Sequence, residues 1–211
     1  MPGIHDYWAF LLASFLLWIT PGPDTMYILA RSIAQGRWAG ILSGLGIGSG
    51  TIVHTLFAAI GLSAVLAASA WAFTFIKIAG ACYLIYLGVQ ALLKPIKRLE
   101  SGQVETMSGW RIYRQGFLTN LLNPKVAVFF LAFLPQFVDL NAGMGALPFL
   151  ILGASFVVGG TLYCIVIASF AAWASQTIRR NPTTMGWLER LAGCVYIGLG
   201  LNLLWSKPQA A

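Results

Sequence analysis

Thr20-Pro21-Gly22-Pro23-Asp24 interrupts an apolar run that begins at Tyr7 and resumes from Thr25 to Ala30. Two prolines, a glycine and a carboxylate therefore sit inside what hydropathy reads as one membrane span. Each proline removes a backbone donor and crowds the preceding turn, so the helix must break or bend sharply here. Non-helical backbone at membrane depth is tolerated only where protein buries it or a wet cavity borders it. The stretch thus predicts a polar site built on a broken helix within a membrane protein.

The rest of the chain supports that setting. Its 211 residues are 58% hydrophobic and only 9% charged, with a mean hydropathy of +0.78, which excludes an ordinary soluble domain. Residues 1–6 carry no basic leader, and the first apolar run continues into further spans, so no cleaved secretory signal is expected. Cys82, Cys164 and Cys194 lie in apolar runs without CxxC spacing and read as small hydrophobes, not as disulfide or metal ligands.

A spanning helix needs about 20 mostly apolar residues. Residues 7–30, 40–66, 71–93, 115–138, 146–173 and 186–205 reach that length. The whole chain, 1–211, reads as a single polytopic membrane domain. Positive charge is retained on the cytoplasmic side, and it alternates along this chain. The connections 31–39, 94–114 and 174–185 hold Arg31 and Arg37, then Lys94, Lys97, Arg98, Arg111 and Arg114, then Arg179 and Arg180. Connections 67–70 and 139–145 hold none, and the tails add only Lys207. Both termini are therefore expected outside, in the periplasm. The net charge of +7 is explained by sidedness, and no nucleic-acid partner is expected.

Internal similarity gives the span order a second meaning. Lys77-Ile-Ala-Gly-Ala-Cys-Tyr83 matches Arg190-Leu-Ala-Gly-Cys-Val-Tyr196, Gly50-Thr51 matches Gly160-Thr161, and Thr20-Pro21 aligns with Asn123-Pro124. Repeat one covers about residues 1–93, a cytoplasmic linker about 94–114, and repeat two about 115–211. A three-span repeat inserts its second copy upside down, which is the inverted-repeat plan of secondary transporters. Pro21 lies 10 residues before Arg31 and Pro124 lies 10 residues after Arg114. At 1.5 Å rise both breaks should lie roughly 15 Å deep, near the bilayer centre. The predicted fold is an all-α membrane protein of six helices in a 3+3 inverted repeat, with helices 1 and 4 broken. Gly40, Gly44 and Gly48, with Gly46 and Gly50 as a second row, suit close helix packing in the second span.

PGPDTMYILARSIAQGRWAG, IAGACYLIYLGVQALL and GFLTNLLNPKVAVFFLAFLPQFV together resemble the lysine exporter (LysE) family of amino-acid efflux proteins, including its threonine and homoserine exporting branch. The resemblance covers nearly the full chain. It implies a bacterial inner-membrane exporter of amino acids or close derivatives, driven by the proton motive force through proton antiport and often assembled as a homodimer. Its substrate does not follow from the motifs.

The candidate substrate site comprises Thr20, Pro21, Gly22, Pro23 and Asp24 at one break and Asn123, Pro124 and Lys125 at the other. A charge at this depth costs about 2.5 to 3.5 kcal/mol on insertion scales, so it usually faces a cavity or a partner. A zwitterion fits between Asp24 and Lys125, its ammonium toward the first and its carboxylate toward the second. Carbonyls released before Pro21 and Pro124 offer further acceptors for the ammonium. The alternative is a fixed Asp24–Lys125 salt bridge that clamps the halves. Asn123 and Thr20 could cap the broken helices or meet substrate. Asp24 and His54 are the candidates for carrying the antiported proton. Lys77 and Arg190 are expected to reach toward the nearer interface, and Trp8, Trp71, Trp110, Trp187 and Trp205 to form interfacial belts.

No HExxH, GxSxG or P-loop accompanies the spans, so no enzymatic role, catalytic residue, metal centre or cofactor is expected. A channel or a metal-ion translocator of the same architecture is the competing reading. With both ends outside, alkaline phosphatase fused after Ala211 should be active in cells and inactive when inserted at 94–114; the reverse pattern would overturn the orientation.

Overall fold

Proline chemistry sets the first element boundaries. The residue before a proline is pushed out of the helical region. Thr20, before Pro21, is accordingly extended at φ −72° and ψ 117°, and ends helix α1, Tyr7–Ile19. Gly22, before Pro23, is also extended, and Pro23 opens helix α2, Pro23–Gln35, where its missing N–H costs nothing. The same rule acts later: Asn123 precedes Pro124 at φ −79° and ψ 106°. It separates α5, Gly109–Leu121, from α6, Pro124–Val128.

The computed structural model describes residues 3–62, 70–93, 106–139 and 142–178, with positions 194, 197, 198, 201, 204 and 205. The remaining helices are α3, Arg37–Phe57, α4, Ala70–Leu93, and α7, Leu147–Ile178. A π-helical turn at Ala58–Leu62 extends α3. A second one at Phe129–Phe133 extends α6, followed by a 3₁₀ turn at Leu134–Phe137. Among the described residues the fold is helical apart from an isolated bridge between Ile4 and Val138.

Arg37–Gly61 and Leu147–Ala171 are long and apolar enough to cross a membrane. Gly109–Leu121 and Pro124–Phe137, bent by 47° at their break, make a third crossing when taken as one span. The expected sixth span, 186–205, lies outside the described residues except at isolated positions, as do Arg190 and Trp187.

Two expectations change. The polar connection expected at 31–39 contracts to Gly36, whose φ of 84° reverses the chain between α2 and α3, a conformation that favours glycine. Arg31, expected in a loop, is instead a buried helical residue that donates to Gln35 Oε1 at 3.0 Å and lies over the Tyr27 ring. Lys77 is buried as well. Of the cysteines, Cys164 is buried whereas Cys82 and Cys194 are exposed. Trp8, Trp71, Trp110 and Trp205 are exposed, as belt residues would be.

Helix α3 is the centre of the packing, with its two glycine rows serving different neighbours. A Cβ on Gly44 would stand 2.8 Å from Cys164 Cβ of α7, and one on Gly48 2.6 Å from Thr161 Oγ1. On the other side a Cβ on Gly50 would meet the Phe117 carbonyl of α5 at 2.9 Å, and Gly116 of α5 answers against the Ser43 carbonyl at 2.6 Å. Lipid gives no hydrophobic drive between helices, so such close backbone approach must supply the contact. Helix α2 is tied to the same unit: Tyr27 Oη donates to the Ile112 carbonyl at 2.9 Å, and Gln35 Nε2 to the Met107 carbonyl at 2.9 Å.

Beyond the breaks, an aromatic cluster fills the space between α1, the π-helical turn and α7. Phe129 and Phe156 have centroids 5.0 Å apart, and Phe10 meets Phe137 at 5.4 Å edge to face. Val158, Leu162, Val166 and Phe170 form an exposed apolar stripe along α7, as a lipid-facing helix requires.

Gly46→Ala would press its methyl into the α5 backbone, including the Phe117 nitrogen at 2.9 Å, whereas Gly61→Ala meets nothing within 4 Å. The first change should lower the melting midpoint of the detergent-solubilised protein by roughly 5 °C and the second should leave it unchanged, read by loss of the monodisperse peak after heating.

Candidate functional site

The two breaks meet. Lys125, the second residue of α6, is buried, and its Nζ donates to the Thr20 carbonyl at 2.8 Å. That carbonyl is one that the first break releases from helical bonding, so the cation of one break satisfies an acceptor of the other. The same Thr20 carbonyl, expected as an acceptor for the substrate ammonium, thus already accepts one bond from the lysine. Asp24 and Lys125 border one cavity, yet no direct ion pair joins them among the described residues.

Local roles at the two breaks are related but not in the register that sequence similarity suggests. Gly22 and Asn123 hold the N-cap positions, and Pro23 and Pro124 follow as first helical residues. Asp24 and Lys125 then occupy equivalent places, each the second residue of its half-helix. By cap position Pro23, and not Pro21, is the counterpart of Pro124. Asn123 caps α6, its Oδ1 accepting from the Lys125 backbone N–H at 3.1 Å. Thr20 does not cap α2; its Oγ1 donates back to the Leu16 carbonyl at the end of α1.

Asn120, which sequence reasoning passed over, joins the polar groups. Its Nδ2 donates to Asp24 Oδ2 at 2.7 Å, and its Oδ1 accepts from Thr51 Oγ1 at 3.2 Å. Its backbone carbonyl accepts from His54 Nε2 at 3.2 Å, which requires the proton to sit on that nitrogen. His54 itself is buried with its ring tilted against Phe130 at 6.0 Å; it does not border the cavity but reaches Asp24 through Asn120. A second polar side chain one turn before Asn123, in an otherwise apolar span, was the available signal. Capping logic directed attention to Asn123 alone.

The cavity lies where α1 ends, α2 and α6 begin, and α3, α5 and α7 pack around them. Positions open to a water centre fill about 50 Å³, several times what one water needs. Asp24, Thr25, Thr51, Asn120, Lys125 and Thr161 give it polar groups, while Leu17, Trp18, Ile28, Ile47, Val126 and Phe156 make most of its wall. Thr51 and Thr161, matched in the internal similarity, thus face the same space. Pro21, Gly22, Pro23 and Asn123 shape the breaks without bordering it. Three buried polar atoms at this level have no hydrogen-bond partner: Trp18 Nε1, Asp24 Oδ1 and Asn123 Nδ2. Unmatched polar groups are costly in an apolar interior, and two of these three belong to residues that line the cavity.

Comparison with known proteins agrees with a membrane translocator. The chain is 32% identical over 206 residues to an uncharacterised membrane protein of Vibrio cholerae, covering 97% of this chain and 98% of that protein. An uncharacterised membrane protein of Pseudomonas aeruginosa is 29% identical, with 95% of each chain covered. The leucine efflux protein of Salmonella typhimurium is 24% identical over 202 residues, again with 95% of each covered. No solved structure matches the chain. The description of the LysE type translocators fits residues 15–207, and on that coverage the chain belongs to the LysE type translocator family.

Proposed function

We propose that this protein exports amino acids across the bacterial inner membrane, with the cavity between the two helix breaks as the substrate site. The observation that carries this reading is one carboxylate and one ammonium set among uncharged lining residues of a cavity at the meeting point of two broken helices. A free amino acid presents the complementary pair of charges. Its ammonium would take Asp24, and its carboxylate would face Lys125 and the start of α2, where the N-cap Gly22 offers no side-chain acceptor to the free backbone N–H groups. Leu17, Ile28, Ile47, Val126 and Phe156 then favour a neutral, apolar side chain. A relative named as a leucine efflux protein supports that class.

In this reading the chain forms a six-span inverted repeat with both termini outside, and the halves rock about the site. Equivalent placement of Asp24 and Lys125 at their half-helix starts supports the repeat. Export is coupled to proton entry, with Asp24 and His54 as carriers joined through Asn120. A homodimer in the bilayer is the proposed assembly.

Asp24→Asn removes the charge while keeping an oxygen that can accept from Asn120. In vesicles preloaded with a panel of amino acids, this variant should lose at least tenfold in export rate with an unchanged melting midpoint. Wild-type rates that persist for many solutes after the proton gradient is collapsed would instead make the protein a channel. His54→Gln should flatten the dependence of export on external pH; an unaltered profile would remove His54 from the proton route.

A further inference from the structure

We propose that Trp18 positions the substrate, its indole N–H donating to the carboxylate of the amino acid bound in the cavity. The proposal rests on the cavity being an amino-acid site, and it assigns a role to a residue that neither the repeat nor the break motifs single out.

Trp18 is the penultimate residue of α1, directly before the first break. Its ring is fixed on two sides. It meets Phe156 edge to face at 5.3 Å and 67°, and it lies against the paired glycines of α7. A Cβ on Gly160 would stand 3.1 Å from Trp18 Nε1 and 3.5 Å from its Cε2. No side chain larger than hydrogen fits there without moving the ring, so the glycine pair admits the indole and sets its orientation.

The nitrogen so placed is buried and has no partner. An indole N–H can only donate, so what it lacks is an acceptor. Asp24, which borders the same cavity, likewise has a buried oxygen, Oδ1, without a hydrogen bond of full geometry, its neighbour there being Asn123. Two residues that line one cavity thus carry, just behind its surface, a donor without an acceptor and an acceptor with an open position. The two ends of a zwitterionic amino acid are the complementary set. Lys125 Nζ gives one of its N–H groups to the Thr20 carbonyl and supplies positive charge, to which Trp18 adds a directed bond. The same indole presents an apolar face to the cavity, so one residue both orients the carboxylate and walls the side-chain space.

The test measures equilibrium binding to purified, detergent-solubilised protein for the tightest-binding neutral amino acid of a panel and for its carboxamide. The carboxamide keeps the ammonium and the side chain but loses the anionic acceptor. Trp18→Phe, which preserves a ring and removes the N–H, should weaken amino-acid binding about tenfold and leave carboxamide binding within twofold of wild type. Gly160→Ala, which displaces the indole without deleting it, should act in the same direction and decides the matter if Trp18→Phe does not fold. Equal weakening of both ligands by the folded variants would mean that Trp18 only packs, and no weakening of either would remove it from the site; both results overturn the proposal. A folded wild type that binds no amino acid would instead overturn the amino-acid reading itself.

Discussion

Hydrocarbon offers no partner to a peptide group released from a helix, and this constraint governs the arrangement at both breaks. Pro21 and Pro23 separate α1 from α2, and Pro124 separates α5 from α6. The freed groups must then be matched by protein. Lys125 meets the Thr20 carbonyl at 2.8 Å, Thr20 Oγ1 returns to Leu16, and Asn123 Oδ1 takes the Lys125 N–H. Because the partner of one break comes from the other, the two interruptions must lie side by side. A cavity at their junction follows from the proline positions and from this cross-satisfaction.

Close packing around α3 holds that junction together. Glycines on its two sides let α5 and α7 approach to backbone contact, and Gly116 of α5 reciprocates against Ser43. Asn120 and Thr51 meet across the α3–α5 contact, while Thr161 reaches the cavity from α7. A larger side chain at Gly46, Gly48 or Gly50 would separate helices whose polar side chains must meet within about 3 Å. Packing and site geometry are therefore the same constraint seen at two levels.

The polar groups at the junction form a connected set, not a single ion pair. Asn120 holds Asp24 by its amide nitrogen, Thr51 by its amide oxygen and His54 by its backbone carbonyl. Such a network fixes one oxygen of Asp24, Oδ2, within a residue that borders the cavity.

Much of this architecture was legible in the residues. Proline restricts its own φ and the residue before it, so the breaks at Thr20 to Pro23 and Asn123 to Pro124 could be located from local chemistry alone. Glycine spacing announced that α3 would be tightly packed, because small residues are what close helices require. What local chemistry could not supply was which distant groups would satisfy the opened backbone. That Lys125 would take the Thr20 carbonyl, that Asn120 would hold Asp24, and that Gly159 and Gly160 would seat Trp18 depend on helices far apart in the chain being brought together. The motif Thr20 to Asp24 by itself determined that a polar cavity must exist; only the tertiary structure decided its contents, since a freed hydrogen-bonding group specifies the need for a partner and not its identity.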